Sequence, residues 1–264
     1  MLTGYAARMA APLDDIRALI AGLPGFEEPP PAAGRLAELA AWFAAGRGEA
    51  AAQVRRPILS LYAGAPVAGR LAESEGKRAR LEAIAAGEAP VSRMAAAMGA
   101  GLEAFDLAID RPIGDIEAGA ALGERECAAT MAFGMEVLAK QPDLLMIGHV
   151  GAFAAGEGVF GPGDPLDRLR GFAGREASAA AGAIIASRNQ KVPVILDGEA
   201  AGVAAFLLEA ARPGLSRHCL LARPLGVRLQ EALGMAPLID LGVEQDGEAA
   251  LAAAVLVRLA VSRF

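Results

Sequence analysis

Short apolar runs alternate with longer helical segments through most of the chain, and this alternation constrains the fold more than any other feature. Six runs have the length and composition of buried strands. They are residues 57–62, 105–109, 143–148, 192–196, 218–222 and 237–241. Strands separated by helix-length segments predict βαβ crossovers, and crossovers place the strands in a parallel sheet that helices cover on both faces.

The segments between these runs have the apolar spacing of helices. The predicted helices are residues 34–45, 67–98 with breaks at Gly87 and Pro90, 117–140, 165–187, 200–211, 225–233 and a closing helix that ends at Phe264. Hydrophobic residues make up 54% of the chain but aromatic residues only 5%, which favours closely packed helices over a β-sandwich. The predicted fold class is therefore α/β, with a parallel sheet of Rossmann-like doubly wound topology.

The sequence predicts two parts of unequal size. Residues 1–50 form an N-terminal helical segment, in which a helix from Pro12 to Gly22 precedes a linker with three consecutive prolines. Residues 51–264 form the α/β core domain. Within this domain, the charged stretch 70–82 is predicted to be the solvated face of its helix.

Charge and cysteine content exclude several classes of protein. The 25 Lys and Arg against 31 Asp and Glu give a net charge of −6 without a basic cluster, which argues against nucleic acid as a partner. The uncharged stretches are shorter than the roughly 20 residues that span a membrane. Cys127 and Cys219 lie far apart, so neither a disulfide scaffold nor a cysteine-rich zinc site is expected. These features predict a soluble cytoplasmic protein.

Candidate binding residues follow the predicted strands, because ligands of doubly wound sheets bind outside the carboxyl ends of the strands. These candidates are Gly148, His149, Gly151, Asp197, Gly198, Arg223 and the acidic loop 244–248. Signatures of P-loop proteins, α/β-hydrolases, zinc proteases and metal clusters do not occur in the sequence. No metal and no cofactor is therefore predicted.

Each candidate has a structural and a functional interpretation. Gly148 and Gly151 either cradle a phosphate or allow close helix packing. His149 is either an acid–base or ligand-binding residue or a hydrogen-bonded structural histidine. The acidic loop either caps the closing helix or supplies a functional carboxylate.

Several segments together resemble the nicotinate-nucleotide:dimethylbenzimidazole phosphoribosyltransferase family, which makes the lower nucleotide ligand of cobalamin. The most specific match runs from Asp164 to Phe172 and continues through residues 181–183 and 192–198; segments 29–36, 237–242 and 247–252 support it. Gly171 joins the substrate-binding candidates through this match. The resemblance implies transfer of a phosphoribosyl group from nicotinate mononucleotide to a benzimidazole, with a carboxylate as base, no cofactor and a homodimeric assembly.

The sequence departs from the family pattern at residues that the chemistry uses. Gln245 stands where the family places its catalytic glutamate, so Glu244 and Glu248 are the candidate catalytic bases. His149 replaces a second family glutamate, and Arg223 lies where the family has "SHxSAExG". The Gly-rich nucleotide segment before Asp164 is shortened. Two hypotheses follow: a divergent transferase, or a non-catalytic paralogue that serves as a nucleotide-binding or partner subunit.

Overall fold

The structure is a computed structural model that describes residues 12–50, 52–67, 71–242 and 246–263. Its centre is a five-stranded, fully parallel sheet. The strands are β1 Pro57–Gly64, β2 Gly101–Leu107, β3 Leu144–His149, β4 Val194–Leu196 and β5 Cys219–Leu221. Their order is β2-β1-β3-β4-β5. The predicted doubly wound parallel sheet is confirmed, and the strand order reverses between β1 and β3, where a ligand crevice forms in this topology.

The α-helices connect the strands and cover both faces of the sheet. They are α1 Pro12–Gly22, α2 Arg35–Arg47, α3 Leu71–Ala85, α4 Pro90–Met98, α5 Glu124–Met135, α6 Pro165–Phe172, α7 Arg175–Asn189, α8 Glu199–Ala211, α9 Val227–Leu233 and α10 Glu248–Ser262. Two short 3-10 helices, Glu136–Lys140 and Glu157–Phe160, lie beside β3 in the sequence.

Helices cover the sheet in two layers, one on each face. Helices α1 and α5 to α9 contribute to the core on one face, whereas α2, α3, α4 and α10 contribute to the core on the other. Successive residues of β1 alternate between them: Tyr62 faces the first core, and Leu61 and Ala63 face the second. Because both faces of the strands are buried, the strands appear in the sequence as uninterrupted apolar runs.

The predicted sixth strand, residues 237–241, is wrong. Pro237 forms only an isolated bridge with Leu221. The amides of Leu238 and Ile239 donate hydrogen bonds to the carbonyl oxygens of Leu221, at the end of β5, and of the next residue, Ala222. Proline has no N–H to extend the pairing, and the chain turns at Gly242 with a φ of 64°. This segment therefore lies along the sheet edge without continuing the sheet.

Among the other predicted elements, three differ from the structure for a clear physical reason. The helix predicted from residue 117 begins at Glu124, because the preceding loop donates amides of Ala121 and Leu122 to carbonyls of α6. The helix predicted over 165–187 is two helices, since Gly174 caps the start of α7. The strand predicted over 105–109 is β2, which begins at Gly101; its partly exposed edge position hides it from the apolar pattern.

Nearly all residues of helix α7 are buried. Helix α5 crosses it so closely that the two backbones are in contact. A Cβ atom at Gly134 would lie 1.9 Å from the Ala179 carbonyl oxygen, and one at Gly182 would lie 1.8 Å from the Met131 oxygen. Glycine is therefore required at both positions. This crossing fixes α7 against the sheet and places its first turn beneath the carboxyl end of β1.

Candidate functional site

The carboxyl ends of β3, β4 and β5 bring together three of the side chains predicted from the sequence. His149 is the last residue of β3, Asp197 follows β4, and Arg223 lies two residues after β5. Between them, Gly198 caps α8 with a φ of 85°. A Cβ atom there would lie 2.7 Å from His149 Nε2 and 3.1 Å from Arg223 Nη2, so the imidazole and the guanidinium both rest on the backbone of this glycine.

Asp197 is buried and holds two elements together. Its Oδ1 accepts a hydrogen bond from Arg223 Nε at 2.7 Å, and its Oδ2 accepts one from the Ala250 amide at 3.0 Å, in the first turn of α10. Burial raises the pKa of Asp197, whereas the Arg223 guanidinium and the Ala250 amide act in the opposite direction. The carboxylate thus fixes the guanidinium and the start of α10 relative to each other.

Glu248 is the first residue of α10 and lies partly buried at the same edge of the sheet. Burial raises the pKa of its carboxyl group, and the neighbouring charges of Asp246 and Asp197 raise it further, while Arg93 opposes them. A carboxylate with raised proton affinity is suited to accept a proton near neutral pH. The other candidate base, Glu244, lies outside the described residues, as does Gln245.

Asp246 connects the acidic loop to the loop after β3. Its Oδ1 accepts hydrogen bonds from the Gly151 amide at 2.8 Å and from Arg80 at 3.2 Å. Gly151 has a φ of 68°, which turns its amide toward this carboxylate. The glycine predicted to cradle a phosphate therefore donates its amide to a carboxylate of the chain itself.

A buried ion pair lies beneath the crevice between β1 and β3. Lys77 Nζ lies 2.5 Å from Glu176 Oε1 and also donates to the Gly64 carbonyl oxygen at 2.9 Å. The two side chains are 3% and 2% exposed. The pair lines a small cleft that also includes Phe153 and Ala152. The prediction that 70–82 is a solvated helix face is thus wrong at Lys77.

Sequence reasoning missed this pair for a physical reason. Lys77 lies among five other charged residues of α3, and its partner is 99 residues away in the sequence. The available signal was Glu176, because it is an acidic residue inside the segment that most closely matches the family pattern.

The imidazole of His149 lies between the cleft and Arg223. Burial lowers the pKa of His149, Lys77 lowers it further, and the carboxylates of Glu176 and Asp197 oppose them. The ring is therefore neutral at neutral pH. Its centroid lies 5.6 Å from that of Phe153, so the histidine lies between a ring that lines the cleft and the Arg223 guanidinium.

The remaining glycine candidates are divided between the site and the core. Gly148 is buried in β3, and a Cβ atom there would lie 3.7 Å from Gly247, the residue that caps α10. Gly171 lies in α6 instead, where a Cβ atom would be 2.8 Å from the Gly119 carbonyl oxygen. Close packing therefore explains the glycine at position 171.

The described part of the chain holds neither a metal-binding cluster nor a membrane-spanning helix. Among residues 12–50, 52–67, 71–242 and 246–263, no group of three or more His, Cys, Asp or Glu side chains is arranged to hold a metal ion. No helix within these ranges is both long enough and apolar enough to cross a membrane.

A crevice at the switch point of a doubly wound sheet, lined by carboxylates and cations, defines a small-molecule-binding α/β protein. A family model described as "Phosphoribosyltransferase" matches residues 16–156 and 152–264. The chain therefore belongs to this phosphoribosyltransferase family, which confirms the resemblance seen in the sequence.

Curated relatives match over nearly the whole chain. The nicotinate-nucleotide–dimethylbenzimidazole phosphoribosyltransferase of Sinorhizobium fredii is 38% identical, over 95% of this chain and 93% of the relative. The protein of the same name from Rhizobium meliloti is 37% identical over the same shares. The crystal structure of CobT from Thermus thermophilus has the same fold, with a TM-score of 0.75, 21% identity and coverage of 96% of this chain and 95% of that one.

The comparisons also locate a difference in length. The alignment with the Sinorhizobium fredii protein runs over 316 positions, more than the 264 residues of this chain, so the chain contains gaps relative to that protein. The two stretches matched by the family model meet at residues 152–156, directly after β3. This position agrees with the shortened nucleotide segment inferred from the sequence.

Proposed function

We propose that this protein transfers the phosphoribosyl group of nicotinate mononucleotide to a benzimidazole, releasing nicotinate and forming α-ribazole phosphate. Family membership and the names of the curated relatives support the reaction class. The observation that carries the proposal is the position of Glu248 at the start of α10, where burial and the nearby charges of Asp246 and Asp197 raise the pKa of its carboxyl group.

In the proposed reaction, the Glu248 carboxylate accepts the N–H proton of the benzimidazole. The other ring nitrogen attacks C1′ of nicotinate mononucleotide and forms the new C–N bond with inversion. The bond from C1′ to the pyridinium nitrogen breaks, and its electron pair neutralises the departing ring. Because the leaving group departs without an added proton, the site must supply only a base, positioning and donors for the anionic groups.

The proposal includes the setting in which the protein works. A homodimer is the assembly that the family resemblance implies, and the cytoplasm is the location that the cysteine content and the short apolar runs of the sequence predict. Size-exclusion chromatography with light scattering tests the assembly, and a mass near 54 kDa, twice the 26.8 kDa of the chain, is the expected result. A mass equal to one chain at micromolar concentration contradicts this part of the proposal and leaves the reaction itself untouched.

The reaction is tested by measuring nicotinate release chromatographically from nicotinate mononucleotide and dimethylbenzimidazole. Release that requires the benzimidazole is expected. Glu248→Gln should lower kcat by about 10²- to 10⁴-fold, because an amide does not accept the proton. The melting temperature should change little, since the amide preserves the size of the side chain.

Glu124→Gln is the matched control, because Glu124 is also the first residue of a helix capped by glycine. Both variants lose the same favourable interaction with a helix dipole, about 0.3–1 kcal/mol, but only Glu248 lies close enough to Asp197 for the two charges to interact. Absence of benzimidazole-dependent release from folded protein contradicts the proposed function and leaves the non-catalytic hypothesis. Full turnover by Glu248→Gln contradicts the assignment of the base.

A further inference from the structure

Arg223 is fixed through one nitrogen only. Its Nε donates to Asp197 Oδ1 at 2.7 Å, and no hydrogen bond to another described residue involves Nη1 or Nη2. The side chain is 20% exposed, so it is not fully enclosed by the protein. A guanidinium held in this way keeps two parallel donors for a planar or tetrahedral anion.

The surroundings of Arg223 favour an anion at the same point. Nη2 lies over Gly198, beside Nε2 of His149, and α8 begins at the next residue with the positive end of its dipole. Two further cations near the site are engaged elsewhere: Lys77 is paired with Glu176, and Arg80 with Asp246. Of these three described cations, Arg223 is therefore the one that presents unused donors to a ligand.

The connection after β3 is shortened, and this shortening explains why an anionic substrate would need a donor such as Arg223. The family resemblance places a Gly-rich nucleotide segment there, whereas this chain has a short 3-10 helix, Glu157–Phe160. The ring centroid of Phe160 lies 5.5 Å from that of Phe206. The amide of Gly151, which belongs to the same connection, is taken by Asp246. An anionic substrate bound at this edge requires another donor.

We propose that Arg223, seated beside His149 on Gly198, is the residue that binds an anionic group of nicotinate mononucleotide in this protein. The proposal rests on the proposed function for the identity of the ligand. The group is either the 5′-phosphate or the pyridine carboxylate, which share the chemistry that a guanidinium recognises.

Binding measurements with three probes separate the two groups. Nicotinate mononucleotide carries both anions, nicotinamide mononucleotide carries only the phosphate, and nicotinate riboside carries only the carboxylate. By calorimetry at constant ionic strength, Arg223→Gln should weaken binding of nicotinate mononucleotide about 10- to 100-fold, the loss expected for a charged hydrogen bond. The single-anion probe that loses affinity in the same variant identifies the group that Arg223 binds.

Two further variants make the result specific. Arg223→Lys keeps the charge without the fork and should bind with intermediate affinity. Arg228→Gln is the matched control, because this arginine is 60% exposed and its Cζ lies over the Phe160 ring, 4.1 Å from the ring centroid. The affinity of this variant for nicotinate mononucleotide should stay within about twofold of that of the unaltered protein, as for other surface changes.

Arg223→Gln leaves Asp197 buried without its partner, which can destabilise the fold. The double variant Asp197→Asn/Arg223→Gln removes both charges, and the side-chain oxygen that remains at position 197 can still accept from the Ala250 amide. Its binding should be weakened as in the single variant. Unchanged affinity for all three probes in a folded Arg223→Gln or double variant overturns the proposal.

Failure of the proposed function has a different signature. Tight, Arg223-dependent binding of nicotinate mononucleotide without turnover contradicts the transferase activity and supports the binding residue. Normal turnover with an unchanged KM in Arg223→Gln contradicts the binding residue and supports the transferase activity.

Discussion

The two histidines of the chain lie at opposite ends of the sheet. His149 ends β3 at the carboxyl edge, whereas His218 precedes β5 at the amino edge, is 2% exposed and lies with Nε2 3.2 Å from the Ile184 carbonyl oxygen. Only the carboxyl edge of a doubly wound sheet forms a ligand crevice. Position along the strand therefore separates a candidate site histidine from a structural one.

His218 makes the stability of the protein depend on pH. Burial lowers its pKa to about 3, whereas a histidine in the unfolded chain has a pKa of about 6.5. Between these values the unfolded chain binds a proton that the folded protein excludes. Stability is therefore retained above about pH 6.5 and falls by up to about 1.4 kcal/mol for each pH unit below it.

Urea unfolding between pH 7.5 and pH 4 measures this effect. His218→Gln should flatten the dependence, since glutamine can donate to the Ile184 oxygen and does not titrate. Part of the slope should remain, because burial also lowers the pKa of His149. The variant is expected to be less stable at pH 7.5, so the slope rather than the absolute stability is the informative quantity. Equal slopes for both proteins would show that His218 is not the titrating group.

Site residues could be predicted from the sequence where they follow a strand directly. His149, Asp197 and Arg223 were found in this way, because an apolar run ends visibly just before each of them. The Lys77–Glu176 pair could not be found in this way, since neither residue follows a strand and the pair forms only when α3 and α7 meet at the crevice. Contacts between distant elements leave no local pattern.

At the scale of elements, the crossing of α5 and α7 determines the position of Glu176. The crossing depends on Gly134 and Gly182, where a Cβ atom would meet carbonyl oxygens of the other helix at 1.9 and 1.8 Å respectively. A side chain at either position must push the helices apart. Because α7 begins at Arg175, such a shift also moves the buried ion pair.

Gly182→Ala should destabilise the protein by about 1–3 kcal/mol, the usual cost of overpacking a core. Gly76→Ala is the matched control: it lies within α3, where an added methyl group would meet nothing within 4 Å, and alanine there should stabilise by about 0.5–1 kcal/mol. Chemical denaturation measures both changes. A Gly182→Ala protein as stable as the unaltered one would mean that the helices separate without cost.

The sequence predicted the kinds of most elements and misplaced several of their ends. Residues 117–123 have helical spacing, yet amides of this stretch bond to α6 because that tertiary contact competes successfully with local helix formation. Gly174 divides a continuous alanine-rich pattern, since the chain must turn there to bring Glu176 under β1. Boundaries depended on packing that only the assembled layers provide.

At the scale of the whole molecule, the described part of the N-terminal segment reaches both faces of the sheet. Helix α1 packs Leu13, Ile16 and Ile20 into the core of one face. Helix α2 packs Trp42 and Phe43 into the core of the other, beside α10. Arg212 ties the end of α1 to α8 by donating to the Ile20 and Leu23 carbonyl oxygens at 2.8 Å. The segment therefore completes the two layers.

We expect the segment and the α/β core to unfold together. Trp42 is the single tryptophan of the chain and lies in α2, so its fluorescence reports on the N-terminal segment, whereas circular dichroism reports mainly on the helices of the core. Because removing α2 would expose apolar surface on α10 and the sheet, the two signals should give one midpoint in urea. Arg212→Gln should lower both midpoints equally. A fluorescence transition that precedes the loss of helix would instead show that residues 1–50 form a unit that unfolds independently.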